Sequence, residues 1–408
     1  MPVAATRPPY LLRLKAANFR SLREIEVHLQ PLNVLVGPNG AGKSNLLDVI
    51  AFLGDSVRDD LEPALGRRGG FERVFFRGAR SKGVKKIVIE IEAALTKNSS
   101  RKTTDHYTLS IRQGSVPARS GKRARTYLIR EETFLFKRTA GPGRRISIAG
   151  GGVTFTTGEH EHKGSLREGS LGLATLPKLS AEEGGAQVEE LALLFESFRV
   201  FDINVAAARK PSPTPRSENL KNDASNLAAF LRYIAEDHED VFADIIKDAR
   251  IFIPGLKSLE FESIGGAGEG TVLSLSEDGL DDTTQLSEAS FGSIRALSLL
   301  ALLHDPNPPK MTCIEEIDHG LHPHVLDRLV ELLREASERT QFIIATHSPP
   351  LVNRLKPEEL IVCERDGDAS SRIPAIDSET VRKMEKELGG EIGLGELWFT
   401  GALGGVPS

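Results

Sequence analysis

The sequence predicts an α/β fold with a mostly parallel core sheet, an antiparallel β subdomain and a helical insertion. Three observations predict it. Apolar strands alternate with amphipathic helices at both ends of the chain. The middle alternates apolar and polar residues between Gly-rich tips, as half-buried strands do. A long helical pattern, NLAAFLRYIAEDHEDVFADIIKDA, then precedes the return to strand–helix alternation.

The elements follow in order. Residues 11–36 read as two short strands, LLRLKAANF and LNVLVG, the second a buried run ending in glycine. A Gly-rich loop leads into the helix KSNLLDVIAFLGDSV. KKIVIEIEAAL alternates strictly and reads as a half-buried strand. Residues 97–170 carry DHYTLSIRQ, TYLIREETFLF and RRISIAGGGVTF, an antiparallel β insertion with flexible tips. Residues 187–200 read as an amphipathic helix and RKPSPTPRSE as a loop. One helix is expected from Asn226 to about Arg250, with Pro254 ending that region. LKSLEFESI and GTVLSLSED read as strands. The last third holds a helix (292–304), the strand MTCIEEI, the helix PHVLDRLVELLREASER, the strand QFIIATHS and ELIVCER. Residues 1–96 are thus expected to form an N-terminal lobe and 256–365 a C-terminal lobe. Between them fall a β insertion (97–185) and a helical insertion (186–255), and residues 366–408 form an extension. There is no internal repeat and no long heptad run.

The chain has 408 residues, 39% hydrophobic and 27% charged. That suffices for one large domain with insertions or two to three smaller ones. A net charge of −5 argues against a protein coated in nucleic acid, but leaves room for a local basic patch. Cys313 and Cys363 sit in apolar runs and read as reduced core residues of a cytoplasmic protein. The opening MPVAATRPPYLLRLK lacks the apolar core of a signal peptide. IRALSLLALLH, the most apolar helical run, is about half the length a bilayer span requires.

Gly37, Pro38, Asn39, Gly40, Ala41, Gly42, Lys43 and Ser44 fit G-x-x-x-x-G-K-[ST] between a strand and a helix. Glycines let successive N–H groups point at phosphate oxygens, and the helix N-terminus adds partial positive charge. Lys43 suits the β and γ phosphates, and the Ser44 hydroxyl suits Mg²⁺. Such a site needs acids on a second strand. MTCIEE ends in Glu315, the candidate for Mg²⁺ coordination through water, and Glu316, the candidate base or water-positioner. The same stretch, IEEIDHGLHPH, also admits a zinc cage of His319, His322 and His324.

Together NFRSLREIEV, GPNGAGKSNLLDVIAFL, SFGSIRALSLLALL, IEEIDHGLHP and QFIIATHSPPLV resemble the ABC-type ATPases related to RecF, the SMC-like repair ATPases and the ATPase portion of OLD proteins. The likeness is greatest to compact stand-alone members whose genes accompany a nuclease or effector gene. It implies a P-loop ABC-type ATPase head that uses ATP and Mg²⁺. Gly37–Ser44 takes the Walker A place, Glu315 the Walker B acid and Glu316 the catalytic glutamate. DHGLHP becomes the D-loop facing a partner subunit, and His347 the switch histidine that senses the γ-phosphate. Ser290-Phe291-Gly292-Ser293-Ile294-Arg295 matches the S-x-G-[ST]-[LI]-R signature, with Ser290 and Gly292 expected just ahead of a helix. Phe291 is unusual there. A second register from Leu286–Ser287 places Ala289 where glycine belongs. No glutamine in 66–96 serves as a Q-loop residue, and the end of the chain is too short for a Toprim nuclease.

The resemblance implies a switch that dimerises head to tail around ATP, or forms a higher homo-oligomer. It would control DNA or RNA, or a separate nuclease or toxin, in DNA repair or anti-phage defence, without a membrane. An ATP-locked scaffold with little turnover is the alternative. A transporter motor fits the fold but not FRSL, the signature or the insertions. Arg112, Arg119, Lys122, Arg123, Arg125 and Arg130 form a basic cluster that reads either as a phosphate-backbone track or as a solvated loop. Arg20 and Arg23 border the nucleotide by resemblance. Asp366 and Asp368 read as a solvated acidic turn, with a metal site as the alternative.

Overall fold

The computed structural model describes residues 8, 10–78, 85–97, 99–116, 125–138, 141–178, 185–265, 270–387 and 392–404. These fall into two compact units, Met1–Phe198 with Lys356–Ser408, and Arg199–Leu355.

The first unit opens with strands β1 (Leu11–Phe19), β2 (Leu22–His28) and β3 (Leu32–Val36). Helices α1 (Lys43–Asp59), α2 (Leu61–Arg67) and α3 (Phe71–Val74) follow. Strands β4 (Lys86–Ala93), β5 (Asp105–Val116), β6 (Arg125–Phe136), β7 (Arg144–Ala149), β8 (Gly152–Thr157) and β9 (His160–Ser165) come next. Helices α4 (Gly172–Thr175) and α5 (Gly185–Glu196) complete this part. Among the described residues, eight strands form one antiparallel sheet in the order β2-β1-β4-β5-β6-β7-β8-β9.

That sheet corrects the expected architecture. The largest sheet is antiparallel rather than parallel, and the 97–170 strands are not a separate subdomain. They extend the sheet that β1, β2 and β4 begin, through the β4–β5 pairing. The two faces explain why. Leu14, Ile89, Leu109 and Phe134 are fully buried on one face. The other carries ion pairs such as Arg13–Glu92 at 2.6 Å. Alternation therefore continues across most of these strands, though β9 is exposed throughout, and one apolar face drives a single sheet. The Phe52 ring of α1 packs 5.7 Å from Phe19 of β1.

The second unit holds β10 (Arg199–Phe201), α6 (Val205–Ala208), α7 (Leu227–Asp237) and α8 (Glu239–Phe252). Next come β11 (Leu256–Ser263), β12 (Thr271–Glu277), β13 (Thr284–Gln285) and α9 (Phe291–Leu303). It ends with β14 (Met311–Glu315), α10 (Leu326–Ala336), β15 (Gln341–Thr346) and α11 (Pro349–Val352). Here the parallel prediction holds: β14 pairs in parallel with β10 and with β15. Strands β11, β12 and β13 form a small antiparallel sheet. The single helix expected over 226–250 is two helices broken at His238, whose backbone leaves the helical region. Neither glycine nor proline causes the break. The His238 ring bonds the Tyr233 hydroxyl at 2.8 Å, and its carbonyl accepts from Phe242 N–H to start α8.

The chain then returns to the first unit with β16 (Leu360–Val362), β17 (Glu364–Arg365), β18 (Ser371–Arg372), α12 (Ser378–Glu387) and α13 (Leu394–Phe399). β16 pairs in parallel with β3, and β17 with β18 as a hairpin.

Candidate nucleotide site

The glycine loop lies in the first unit. β3 is buried along its whole length and stops at Gly37. Gly37 has φ 151°, and a Cβ there would lie 2.2 Å from the Cys363 carbonyl oxygen, so no side chain fits. Gly42 caps α1 with φ 103°, and a Cβ there would lie 2.1 Å from Ser371 Oγ. The loop is thus pressed against the end of β16 and the β17–β18 hairpin. Ser371 N–H donates to the Ser21 carbonyl at 2.8 Å, and Asn45 Nδ2 donates to Ser21 Oγ at 2.6 Å. Arg365 Nη1 reaches the Gly40 carbonyl at 3.5 Å.

Lys43 is buried, and its ammonium donates to the Gly37 and Pro38 carbonyls at 2.7 and 3.1 Å. The loop therefore curls around its own cation, while Asn39, Gly40 and Ser44 are exposed at its rim. Pro38 is half-buried and Ala41 is buried. Burial pushes the Cys363 thiol up to about 12, against the pull of Lys43. Cys313 is also raised by burial, so both thiols are protonated core groups.

Arg20 and Arg23 flank this loop but are already engaged. Arg20 Nε lies 2.6 Å from Asp48 Oδ2, close in distance but not aligned as a hydrogen bond. Arg23 donates to Asp368 at 3.1 Å. Asp368 also accepts from Ser370 N–H and Oγ, at 3.1 and 2.5 Å. Those Ser370 bonds, then Arg23, hold its carboxyl below the ordinary range. The acidic turn is a hydrogen-bonded hairpin tip.

The acid pair lies in the second unit. Glu315 ends β14, half-exposed, opposite Ala345 of β15. Glu316 N–H continues the ladder to the Ala345 carbonyl at 2.8 Å, but its own φ is +50°. That left-handed turn carries the Glu316 side chain out of the strand, where it is 65% exposed and 3.8 Å from His319 Nδ1. Asp318 accepts from Thr346 Oγ1 at 2.8 Å, which ties the turn to the end of β15. His347 follows β15 directly and is exposed.

Ser290 is the N-cap of α9, its Oγ accepting from Ser293 N–H at 3.0 Å. Gly292 lies inside the first turn rather than ahead of it, which corrects the expected placement. The helix begins at Phe291 because the Ser290 cap already satisfies a first-turn donor. The Phe291 ring covers Gly320, where a Cβ would meet it at 2.4 Å, and stands edge-on to His319 at 5.5 Å. The signature helix and the DHGLHP turn therefore pack on each other.

One basic residue was misplaced by the sequence reading. Arg130 is buried and bonds Glu132 at 3.2 Å and the Ser170 carbonyl at 2.6 Å, so it tracks no phosphate. Arg112 is half-buried on β5. Arg119, Lys122 and Arg123 lie outside the described residues, as does the Arg125 side chain. Sequence reasoning also gave no role to Arg295, which donates to the carbonyls of Ile203 and Glu316 at 3.1 and 2.5 Å. A lone charge inside the apolar run IRALSLLALL was its signal.

Among the described residues no three His, Cys, Asp or Glu side chains gather to hold a metal ion. His322 and His324 bond each other at 2.7 Å. Mg²⁺ needs no such cage, because it takes one or two protein oxygens and completes its shell with water and phosphate. The exposed Ser44 hydroxyl in the first unit and the half-exposed Glu315 carboxylate in the second are each an oxygen donor of that kind. Among the described residues no helix is long and apolar enough to cross a membrane.

Comparison with known proteins follows the same lines. A family described as "AAA domain, putative AbiEii toxin, Type IV TA system" matches residues 32–353. The chain is 38% identical over 86 residues to a DNA replication and repair protein RecF of Paenarthrobacter aurescens, covering 20% of this chain and 21% of that protein. It is 47% identical over 55 residues to an OLD nuclease of Thermus scotoductus, covering 14% of this chain and 10% of that protein. The matches thus span about a fifth or less of these relatives' lengths. In fold, an SMC head bound to the C-terminal winged-helix domain of ScpA covers 91% of this chain and 99% of its own, with TM-score 0.54 and 14% identity. A Pyrococcus furiosus SMC head bound to the C-terminal domain of ScpA gives TM-score 0.51 with 14% identity, over 94% of this chain and 100% of its own. With more than half of its length matched, the chain belongs to this AAA-domain family, and it resembles RecF and OLD proteins over short stretches and SMC heads in fold.

Proposed function

We propose that the chain is an ATP-binding and ATP-hydrolysing switch. Gly37 to Ser44 cradle the phosphates, with Lys43 on the β and γ groups. Ser44 and, through water, Glu315 hold Mg²⁺, which would neutralise phosphate charge when bound. Glu316 positions and deprotonates the attacking water, and His347 hydrogen-bonds the γ-phosphate. Ser290 and Gly292 meet the nucleotide of a second copy, so that two chains close head to tail around two ATP molecules. In this reading residues 1–96 and 256–365 are the two ATPase lobes, and 97–185, 186–255 and 366–408 adapt the head to its task. That task is control of a separate effector, a nuclease or a toxin, in DNA repair or anti-phage defence. The burial of Arg130 weakens direct DNA contact through the 112–130 cluster. The proposed setting is the cytoplasm.

The observation that carries the reading is the buried Lys43 ammonium inside a loop where Gly37 and Gly42 admit no side chain. Lys43→Ala tests it by equilibrium binding of ATP. Affinity should fall on the order of 100-fold, about 2.7 kcal/mol. Unchanged affinity would place the nucleotide elsewhere.

A further inference from the structure

Glu316 is the residue on which turnover depends in the reading above, and its backbone is unusual. It is not glycine, asparagine or aspartate, yet it stands at φ +50°. A long side chain adopts that conformation only where its surroundings hold it. Glu316 N–H is tied to the Ala345 carbonyl at 2.8 Å. Its carbonyl accepts twice, from His319 N–H at 3.0 Å and from Arg295 Nη2 at 2.5 Å.

Arg295 is 4% exposed and projects from the first turns of α9. Among the described residues its hydrogen bonds all end on main-chain carbonyls: Ile203 at 3.1 Å through Nη1, Glu316 at 2.5 Å and Glu315 at 3.4 Å through Nη2. Its Nε is buried without a partner. Burial pulls this guanidinium down from its ordinary value, while the nearby Asp202, Glu316 and Asp318 carboxylates push it up. A guanidinium fork matches a carboxylate in bidentate fashion. This one spends its fork on the backbone at the end of β14.

We infer that Arg295 is a positioning residue: it clamps the Glu315–Glu316 carbonyls and so holds Glu316 in the left-handed turn that turns its carboxylate out of β14. The inference rests on the proposed ATPase reading and adds a residue to it. It also links the signature helix to the acid pair, because Arg295 lies five residues after Ser290 on the same helix. A displacement of Ser290 along α9 would reach Glu316 through one side chain.

The test uses the full chain with Arg295→Met, close in volume but without donors, and Arg295→Lys. ATP affinity, steady-state kinetics and amide exchange are measured on each. Arg295→Met should lower kcat about 100-fold, as a misplaced catalytic group does, while KM and Kd for ATP stay within about threefold. Amides 316–319 should exchange faster and those of β15 and α10 should not. Arg295→Lys, which keeps a donor but not the fork, should recover part of kcat. Parent-like kcat together with parent-like exchange at 316–319 in Arg295→Met would overturn the inference. So would a parallel loss of kcat, affinity and protection across the whole unit, which marks a structural role. If the parent neither binds nor hydrolyses ATP, the ATPase reading fails, and exchange at 316–319 still decides whether Arg295 holds the turn.

Discussion

The phosphate loop and the acid pair are held by opposite means. The loop is fixed by what is missing from it. Gly37 and Gly42 leave room for the Cys363 carbonyl and Ser371 Oγ, and any Cβ would collide with them. The acid pair is fixed by what is added. Glu316 keeps an uncommon backbone through bonds from His319 and from Arg295, twenty-one residues away in sequence. A site made by omission is read from local residue types. A site made by a distant clamp is not.

Gly37→Ala should break the first region most severely. The Cys363 carbonyl is backbone and cannot step aside, so the substitution should cost about 3 kcal/mol and reduce ATP binding. A chain of parent-like melting temperature would mean the loop has slack. Gly42→Ala sharpens the point, because its obstacle is a side-chain hydroxyl. Combining it with Ser371→Ala removes the Oγ at 2.1 Å but keeps the Ser371 Cβ at 2.8 Å, so it should recover only part of the lost stability, and φ 103° remains strained.

An effect of at least the same size lies away from the site. Arg130 and Glu132 are both buried, and Glu132 also accepts from Gly172 and Leu173 N–H at 2.6 and 3.2 Å. Arg130→Met should cost about 3–5 kcal/mol by leaving Glu132 without its cation. Denaturant unfolding would show the loss, and DNA affinity should not change in the folded fraction. A selective loss of DNA binding would restore the surface reading of this arginine.

A smaller, pH-dependent effect is expected in the second unit. Burial raises the Asp248 carboxyl, but hydrogen bonds and charge from His304 and Arg328 outweigh it and hold it below its ordinary value. A carboxyl depressed in the folded state stabilises above its unfolded pKa of about 3.9 and loses that stability as pH falls through its folded value. Asp248→Asn should therefore lower stability by about 1–2 kcal/mol near pH 7 and shrink the difference below about pH 4. A pH-independent difference would assign the effect to packing.

Much of both regions was legible in the sequence, for stated reasons. β3, the glycine loop and α1 are contiguous, so strand, turn and helix signals sit side by side. β14 and β15 are buried runs bounded by turns, and their parallel pairing follows from the intervening α10. The large sheet was missed because sequence separation made 97–170 look like an insertion, whereas strand pairing ignores such separation. Arg130 was readable in principle: it shares the strand face of Glu132, Phe134 and Phe136, which points inward. The break at His238 was not readable, since no glycine or proline marks it and a local contact, His238 with Tyr233, goes with it. Nor was the conformation of Glu316, which depends on Arg295.

The most direct measurement is the solution mass of Glu316→Gln with ATP and Mg²⁺, alongside its hydrolysis rate. The account predicts stable ATP-dependent doubling of mass with turnover reduced about 100-fold or more. A monomer with parent-like hydrolysis would contradict it.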